Sequence, residues 1–409
     1  MHHFIHLEQH YCAHNYLPLP VVLNRGEGVW LWDVEGKRYL DMMSAYSAVS
    51  FGHCHPELVA VLTAQAQQLA ITSRAFYSDK LGAFLRLLCE MTGQDKALPM
   101  NTGAEAVETA IKAARKWAYK RKGVPDGKAQ IIVCDGNFAG RTTTLVGFSS
   151  EPQYRDGFGP FAPGFVNVPY GDAQALEAAI TPHTAAFLVE PIQGEGGIIV
   201  PPEGYLAACR EICTRHKVLL ICDEVQTGLG RTGRLLACDH ENVKPDGLIL
   251  GKALGGGLLP VSAFLARLDV MDVFQPGDHG STFGGNPLAA AVGHAALNLL
   301  RDQKLIEHAQ SMGAYFMQGL RAIHHPAIRA IRGKGLLIGM ELDPHLIPAR
   351  RFCEELMKHG VLSKETHDTV VRFAPPLLIT REQIDEALHG IRGTLYAMPA
   401  PVAHDMHHA

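Results

Sequence analysis

Asp223 closes the apolar run Lys217-Val-Leu-Leu-Ile-Cys222, and a second short apolar run, Gly247-Leu-Ile-Leu250, leads into Gly251-Lys252-Ala253. Both runs read as strands, so a carboxylate and an amine stand at strand carboxyl ends, where open α/β sheets gather their ligands. Pyridoxal phosphate chemistry requires that pair. A lysine forms the Schiff base, and an aspartate keeps the pyridine nitrogen protonated so that the ring accepts carbanion electrons.

Other segments offer partners for such a cofactor. In Asn101-Thr-Gly-Ala-Glu-Ala106 the spacing of Thr102 and Glu105 is a capping box, and Val107, Ala110, Ile111, Ala114 and Trp117 follow at helical spacing. A helix is expected to open near Gly103, with free amides able to hold a phosphate or simply an ordinary capped start. After the strand at 131–134, Phe138 is placed to stack on a flat ring and Arg141 to clamp a carboxylate, although each could equally be structural. Glu195 lies in the glycine-rich loop Glu190-Pro-Ile-Gln-Gly-Glu-Gly-Gly197 and needs a basic partner to be more than a surface acid; Arg372 is the candidate. The loop His279-Gly-Ser-Thr-Phe-Gly-Gly-Asn-Pro287 sets Ser281 and Thr282 between glycines, a composition suited to close phosphate approach or to a plain loop. Gly228-Leu-Gly-Arg-Thr-Gly233 has dinucleotide-fingerprint spacing without a strand directly before it, and reads as a chance match.

These residues need a scaffold. From about 95 to 265, short β-rich runs at 131–134, 186–189, 218–222 and 248–250 alternate with helical patterns, which predicts an α/β protein with a mostly parallel sheet covered by helices. The stretch 28–40 predicts a hairpin turning at Glu35-Gly36, peripheral to that sheet. A helix is expected over 288–300, followed by mixed elements at 335–341 and 370–373. The expected organisation is an N-terminal segment, 1–45, packing with the small domain; a large cofactor-binding domain, 46–287; and a smaller α+β domain, 288–409.

Composition narrows the function classes. With 409 residues, 47% hydrophobic and 19% charged, the chain can bury a large core, and a net charge of -4 without a basic face argues against nucleic acid. Nine cysteines without a CxxC pair fit reduced thiols, and Cys209 with Cys213, one turn apart, lack the second pair a zinc site needs. No apolar run approaches the roughly 18 residues of a membrane span, and the N-terminus has neither signal nor transit character, so a cytoplasmic enzyme is expected. The His-rich ends, including His404-Asp-Met-His-His408, read as frayed polar termini rather than metal sites.

Taken together, the chain resembles the class III aminotransferases of pyridoxal-phosphate fold type I, and within them the members that act on ornithine. The likeness runs from about Ala13 to Thr394. It is carried by Ala13-His-Asn-Tyr16, Ser44-Ala-Tyr-Ser-Ala-Val49, Gly52-His-Cys-His-Pro56, Asn101 to Ala106, Asp223-Glu-Val-Gln-Thr-Gly228, Gly251-Lys252, Gly280 to Pro287 and Arg372-Phe-Ala-Pro-Pro376. The resemblance implies a large domain built on a seven-stranded-type sheet plus a smaller α+β domain. It implies that Lys252 carries the cofactor and moves the proton, Asp223 pairs with the pyridinium, Gln226 meets the phenolic oxygen and Phe138 stacks on the ring. Thr102, Gly103 and Ala104 would hold the phosphate from one subunit, with Ser281 and Thr282 reaching it from a partner in a homodimer or higher homo-oligomer.

For substrate, the resemblance implies transfer of the δ-amino group of L-ornithine to a 2-oxo acid, with 2-oxoglutarate the expected acceptor. The product, glutamate 5-semialdehyde, would cyclise to pyrroline-5-carboxylate. Tyr16 and Arg141 would hold the carboxylate of ornithine and Arg372 that of glutamate. Glu195 would cover Arg372 while ornithine binds, and Tyr46 would crowd out the α-amino orientation. Ala139 departs from the larger residue usual there, which either loosens donor choice or leaves space for another side chain. Acetylornithine or 4-aminobutyrate aminotransferases, an aminomutase, and a non-catalytic binding protein are the rivals.

Overall fold

The computed structural model of the chain describes residues 1–398, so the histidines at 404–408 lie outside the described residues. Near the N-terminus β1 (Leu23–Glu27), β2 (Trp30–Asp33) and β3 (Arg38–Asp41) pair antiparallel, and the β2–β3 turn falls at Glu35-Gly36 as expected. Gly36 takes φ of 86° there, and the Asp33 carboxylate accepts the amides of Glu35 and Lys37, each at 2.9 Å.

The central sheet comprises β4 (Lys96–Met100), β5 (Gln130–Cys134), β6 (Phe165–Val168), β7 (Thr184–Val189), β8 (Leu219–Asp223), β9 (Gly247–Leu250) and β10 (Ser262–Ala266). Its order is β4-β10-β9-β8-β7-β5-β6, with β10 alone running against the rest. Every other strand therefore ends on one side, and the loops after β4, β5, β7, β8 and β9 open onto one cleft. Alternate side chains face opposite cores: Ile132, Cys134, Phe187, Leu220 and Leu250 one way, and Ile131, Val133, Leu188, Ile221 and Ile249 the other. The helix Gly103–Trp117 packs its buried stripe, from Ala106 through Trp117, on the second face.

The later part of the chain adds β11 (Ile328–Lys334), β12 (Leu337–Leu342), β13 (Val361–Leu362), β14 (Lys364–Thr366) and β15 (Val370–Phe373). The antiparallel order is β11-β12-β15-β14, while β13 leaves that sheet and pairs in parallel with β3. The helix expected over 288–300 forms as Pro287–Asp302, with Asn286 as its N-cap accepting the Ala289 amide. Among the described residues no helix is long and apolar enough to cross a membrane, and no group of three or more His, Cys, Asp or Glu could hold a metal ion.

Candidate active site

Strand pairing brings the two opening residues together. β8 and β9 are parallel neighbours, with Asp223 in register with Ile249, and Lys252 follows β9 in a tight turn where its own φ is 44°. Asp223 is buried, and among the described residues its carboxylate accepts one hydrogen bond, from the Val225 amide at 3.0 Å. Burial raises its carboxyl to about 6, against that amide and the Lys252 charge, which both favour the ionised form. The same burial pulls the Lys252 amine down to about 8, where a fraction is neutral near pH 7. A carboxylate short of partners beside a deprotonatable amine is ready for a cationic ring.

The end of the site that could hold a phosphate is built by β4 and the helix it feeds. Thr102 is the N-cap, its hydroxyl accepting the Glu105 amide while Glu105 accepts the Thr102 amide at 2.9 Å, so the predicted capping box is complete. The Thr102 hydroxyl is thereby engaged. The amides of Gly103 and Ala104 have no acceptor among the described residues. A Cβ on Gly103 would sit 3.0 Å from Val225 Cγ1, so the backbone must stay bare there. Ser281 lies on the same flank, its hydroxyl accepting Asn101 Nδ2 at 2.9 Å, and Thr282 beside it is exposed.

The ring end is shaped by the loops after β5, β7 and β8. The Phe138 amide donates to Glu190 Oε1 at 2.9 Å and the Gly194 amide to Oε2 at 3.2 Å, so Glu190, which sequence reasoning passed over, ties two loops together. Burial and the nearby Asp223 raise Glu190 to about 8. Gln226 is buried with Oε1 unpartnered, and a Cβ on Gly194 would come within 2.2 Å of that oxygen. Free amides, an unpaired carboxylate oxygen, an orphaned amide oxygen and a buried amine match the phosphate, ring nitrogen, phenolic oxygen and carbonyl carbon of pyridoxal phosphate. The residues fit the group.

The two candidate carboxylate-binding arginines stand in separate surroundings. Arg372, on β15, is fully buried and meets Glu195 through Nη1–Oε1 at 2.5 Å and Nη2–Oε2 at 3.2 Å, a two-pronged pair. Burial opposes ionisation of Glu195, yet Arg372 overrides it and holds the carboxyl near 2. Gln226 Nε2 also donates to Glu195 at 3.2 Å, and Thr366 Oγ1 holds the Glu195 carbonyl at 2.6 Å. Arg332, unmarked by any local sequence signal, anchors the end of this loop through the Gly197 and Ile198 carbonyls at 2.8–3.1 Å. The Tyr46 ring lies 4.7 Å from the Arg372 guanidinium carbon.

Tyr46 stands in an unusual turn. Ser44, Ala45, Tyr46 and Ser47 have φ of 45°, 47°, 60° and 73°, four left-handed residues in a row without a glycine. Each costs roughly 1–2 kcal/mol for an L-residue. Asp41 supports the turn, its Oδ1 accepting the Met43 and Ser44 amides at 2.9 and 2.8 Å and its Oδ2 meeting His53 Nε2 at 2.7 Å.

On the other side Arg141 is exposed, stacked 3.6 Å over Tyr154 and 5.5 Å from the Phe138 ring centre. Tyr154, in the short helix Pro152–Arg155 and not marked by any local sequence signal, is thus the side chain standing beside Ala139's neighbours Phe138 and Arg141. Tyr16 lies on an exposed extended segment fastened by Arg350 to the Leu17 and Pro18 carbonyls at 2.8 and 2.7 Å. Among the described residues it makes no hydrogen bond or ring contact with Arg141.

The sheet order, the Asp223–Lys252 pair and the helix-end phosphate cradle define a pyridoxal-phosphate-dependent transferase of fold type I. The Aminotransferase class-III family model matches residues 11–395, and the chain belongs to that family. It is 56% identical to the ornithine aminotransferase of Brevibacillus brevis over 94% of this chain and 96% of that protein. The ornithine aminotransferase structure from Toxoplasma gondii superposes with a TM-score of 0.95 at 48% identity, over 97% of this chain and 94% of the other. An acetylornithine aminotransferase structure from Elizabethkingia anophelis gives 0.88 at 49% identity, covering 97% and 98%.

Proposed function

We propose that this enzyme moves the δ-amino group of L-ornithine to a 2-oxo acid, 2-oxoglutarate in the first instance, releasing glutamate 5-semialdehyde, which closes to pyrroline-5-carboxylate. Such chemistry belongs to proline formation and arginine breakdown. The observation that carries the reading is the Glu195–Arg372 pair, packed beside Tyr46 at the edge of the cofactor site. One pocket must accept ornithine by its distal amine, far from a carboxylate, and glutamate by an α-amine, next to one. A cation that Glu195 can cover or release meets both demands.

Bound pyridoxal phosphate supplies the electron sink that stabilises a carbanion beside the transferred amine. Lys252 Nζ anchors the cofactor and then carries the proton, a task helped by its low basicity. Asp223 would hold a proton on the ring nitrogen, Gln226 would meet the phenolic oxygen, and Phe138 would pack against the ring. The Gly103 and Ala104 amides, beside Thr102, hold the phosphate. Tyr16 and Arg141 orient the ornithine carboxylate, and Arg372 takes that of glutamate once Glu195 swings aside. Tyr46 blocks donors that present an α-amine in the ornithine orientation.

A homodimer, or a larger homo-oligomer, is the proposed working unit in the cytoplasm, with Ser281 and Thr282 of one copy completing the phosphate site of the other. In support, Phe76, Tyr77 and Phe283 are 71%, 104% and 57% exposed, large aromatics that a second copy would cover. Acetylornithine is the second reading, motivated by the likeness to the Elizabethkingia enzyme.

The test is spectroscopic. Holoenzyme mixed with L-ornithine should lose its cofactor absorbance band and regain it on addition of 2-oxoglutarate. A response to N-acetylornithine or 4-aminobutyrate without one to ornithine would transfer the assignment to those donors.

A further inference from the structure

Arg231 lies outside the cofactor contacts yet is among the most deeply buried large side chains, at 0% exposure. No carboxylate pairs with it among the described residues, and burial draws its basicity down to about 9, with only Asp41 acting the other way. A buried cation lacking a counter-ion is a costly way to fasten a core, because apolar packing of the same volume commonly serves stability as well or better. Its hydrogen bonds show what it does instead. Nη2 donates to Ser44 Oγ at 3.3 Å and Ser50 Oγ at 3.0 Å, gripping both flanks of the left-handed turn that carries Tyr46. Nη1 donates to the Pro375 carbonyl at 2.5 Å, three residues past Arg372, and to the Leu336 carbonyl at 3.0 Å between β11 and β12.

The two gripped segments are also bonded to each other. Ser44 Oγ donates to the Ala374 carbonyl at 2.6 Å, the Ala374 amide to the Met42 carbonyl at 2.7 Å, and the Leu377 amide to the Ser50 carbonyl at 2.8 Å. Arg231 sits at the hub, five residues beyond Gln226. Gly335 packs so closely there that a Cβ would fall 2.3 Å from the Thr232 backbone. Only a guanidinium offers a planar fork of donors that can face two hydroxyls and two carbonyls at once; a lysine ammonium cannot hold that geometry.

We propose that Arg231 is a positioning residue that sets the spacing between the Tyr46 ring and the Arg372 guanidinium, and through it the choice among amino donors. This rests on the donor reading above, in which Tyr46 excludes competing orientations. Loss of the fork frees the turn from the end of β15, and displacements of about 1 Å at a site change rates by up to about a hundredfold.

The experiment is a cycle of Arg231→Lys and Tyr46→Ala, singly and together, in the holoenzyme, reading the ratio of kcat/KM for L-ornithine to that for 4-aminobutyrate. Arg231→Lys is expected to lower the ratio about tenfold or more, and to change it no further once Tyr46 is alanine, since one residue acts through the other. Equal proportional loss with both donors overturns the proposal, as do effects on the ratio that multiply independently. If Arg231→Lys does not fold, the pair Ser44→Ala with Ser50→Ala removes acceptors of the same fork and is judged by the same criterion. The parent enzyme's preference for ornithine decides the donor reading separately, before any variant is compared.

Discussion

Glu195→Ala is the perturbation with the most to say about a site that must serve two donors. In the folded chain the Glu195 carboxyl falls from 4.5 to about 2, although burial alone would raise it. That fall is worth about 3 kcal/mol in favour of the ionised, Arg372-bound form, on the order of what breaking a buried pair costs. On the proposed reading a glutamate carboxylate displaces this bond to reach Arg372. Removing Glu195 should therefore favour the glutamate half-reaction over the ornithine half-reaction by up to about a hundredfold. Single-turnover absorbance with each donor measures the two halves separately. If both change by the same factor, or the ratio moves toward ornithine, the gate reasoning fails. Acid stability offers a second readout. A depressed carboxyl contributes its full stability above 4.5 and loses it as pH falls toward 2, so the variant should lack that part of the acid limb.

Four further outcomes are expected. Capture of pyridoxal phosphate by apoprotein should speed up as pH rises through about 8, where Lys252 loses its proton, and a rate flat from pH 7 to 9 would count against a buried amine. The same depression means the unfolded chain holds its proton up to 10.5, so apoprotein should gain stability between about 8 and 10.5 in a thermal melt series. Tyr46→Ala should raise turnover of 4-aminobutyrate or α-amino donors several-fold or more, on the scale of pocket steric discrimination; an unchanged donor profile removes its steric role. Gly194→Ala drives a Cβ to 2.2 Å from Gln226 Oε1, so Gln226 must shift and cofactor should dissociate about tenfold faster, within the range of losing one hydrogen bond. Cofactor fluorescence follows that release, and parental retention would show that Gln226 does not hold the group.

Legibility varied with how local the deciding physics was. Asp223 and Lys252 could be found because each follows a short apolar strand, and the Thr102–Glu105 box because capping operates within four residues. The edge strand β4 escaped notice because Pro99 interrupts it, which an edge position tolerates. β10 escaped because an alternating α/β pattern gives no sign of which strand runs backwards. Arg231 drew no reading of its own within Gly228-Leu-Gly-Arg-Thr-Gly233, whose glycine spacing reads as a chance match, since its acceptors at Leu336 and Pro375 lie far along the chain. Tyr154 and Arg332 are of the same kind. Their neighbours are set by tertiary packing, which no window of sequence contains.

The parallel pairing of β3 with β13 bears on the order in which the enzyme is made. Lys37, next to β3, reaches the Met357 carbonyl 320 residues later, so the N-terminal ribbon waits for nearly the whole chain to emerge before its last strand arrives. The central sheet, complete by Ala266, has all its strands much earlier. During synthesis, Asp223 and Lys252 therefore emerge while Tyr46 still lacks Arg372 of β15. Asp223 and Lys252 thus leave the ribosome well before β13, the strand that ties the N-terminal ribbon to the later part of the chain.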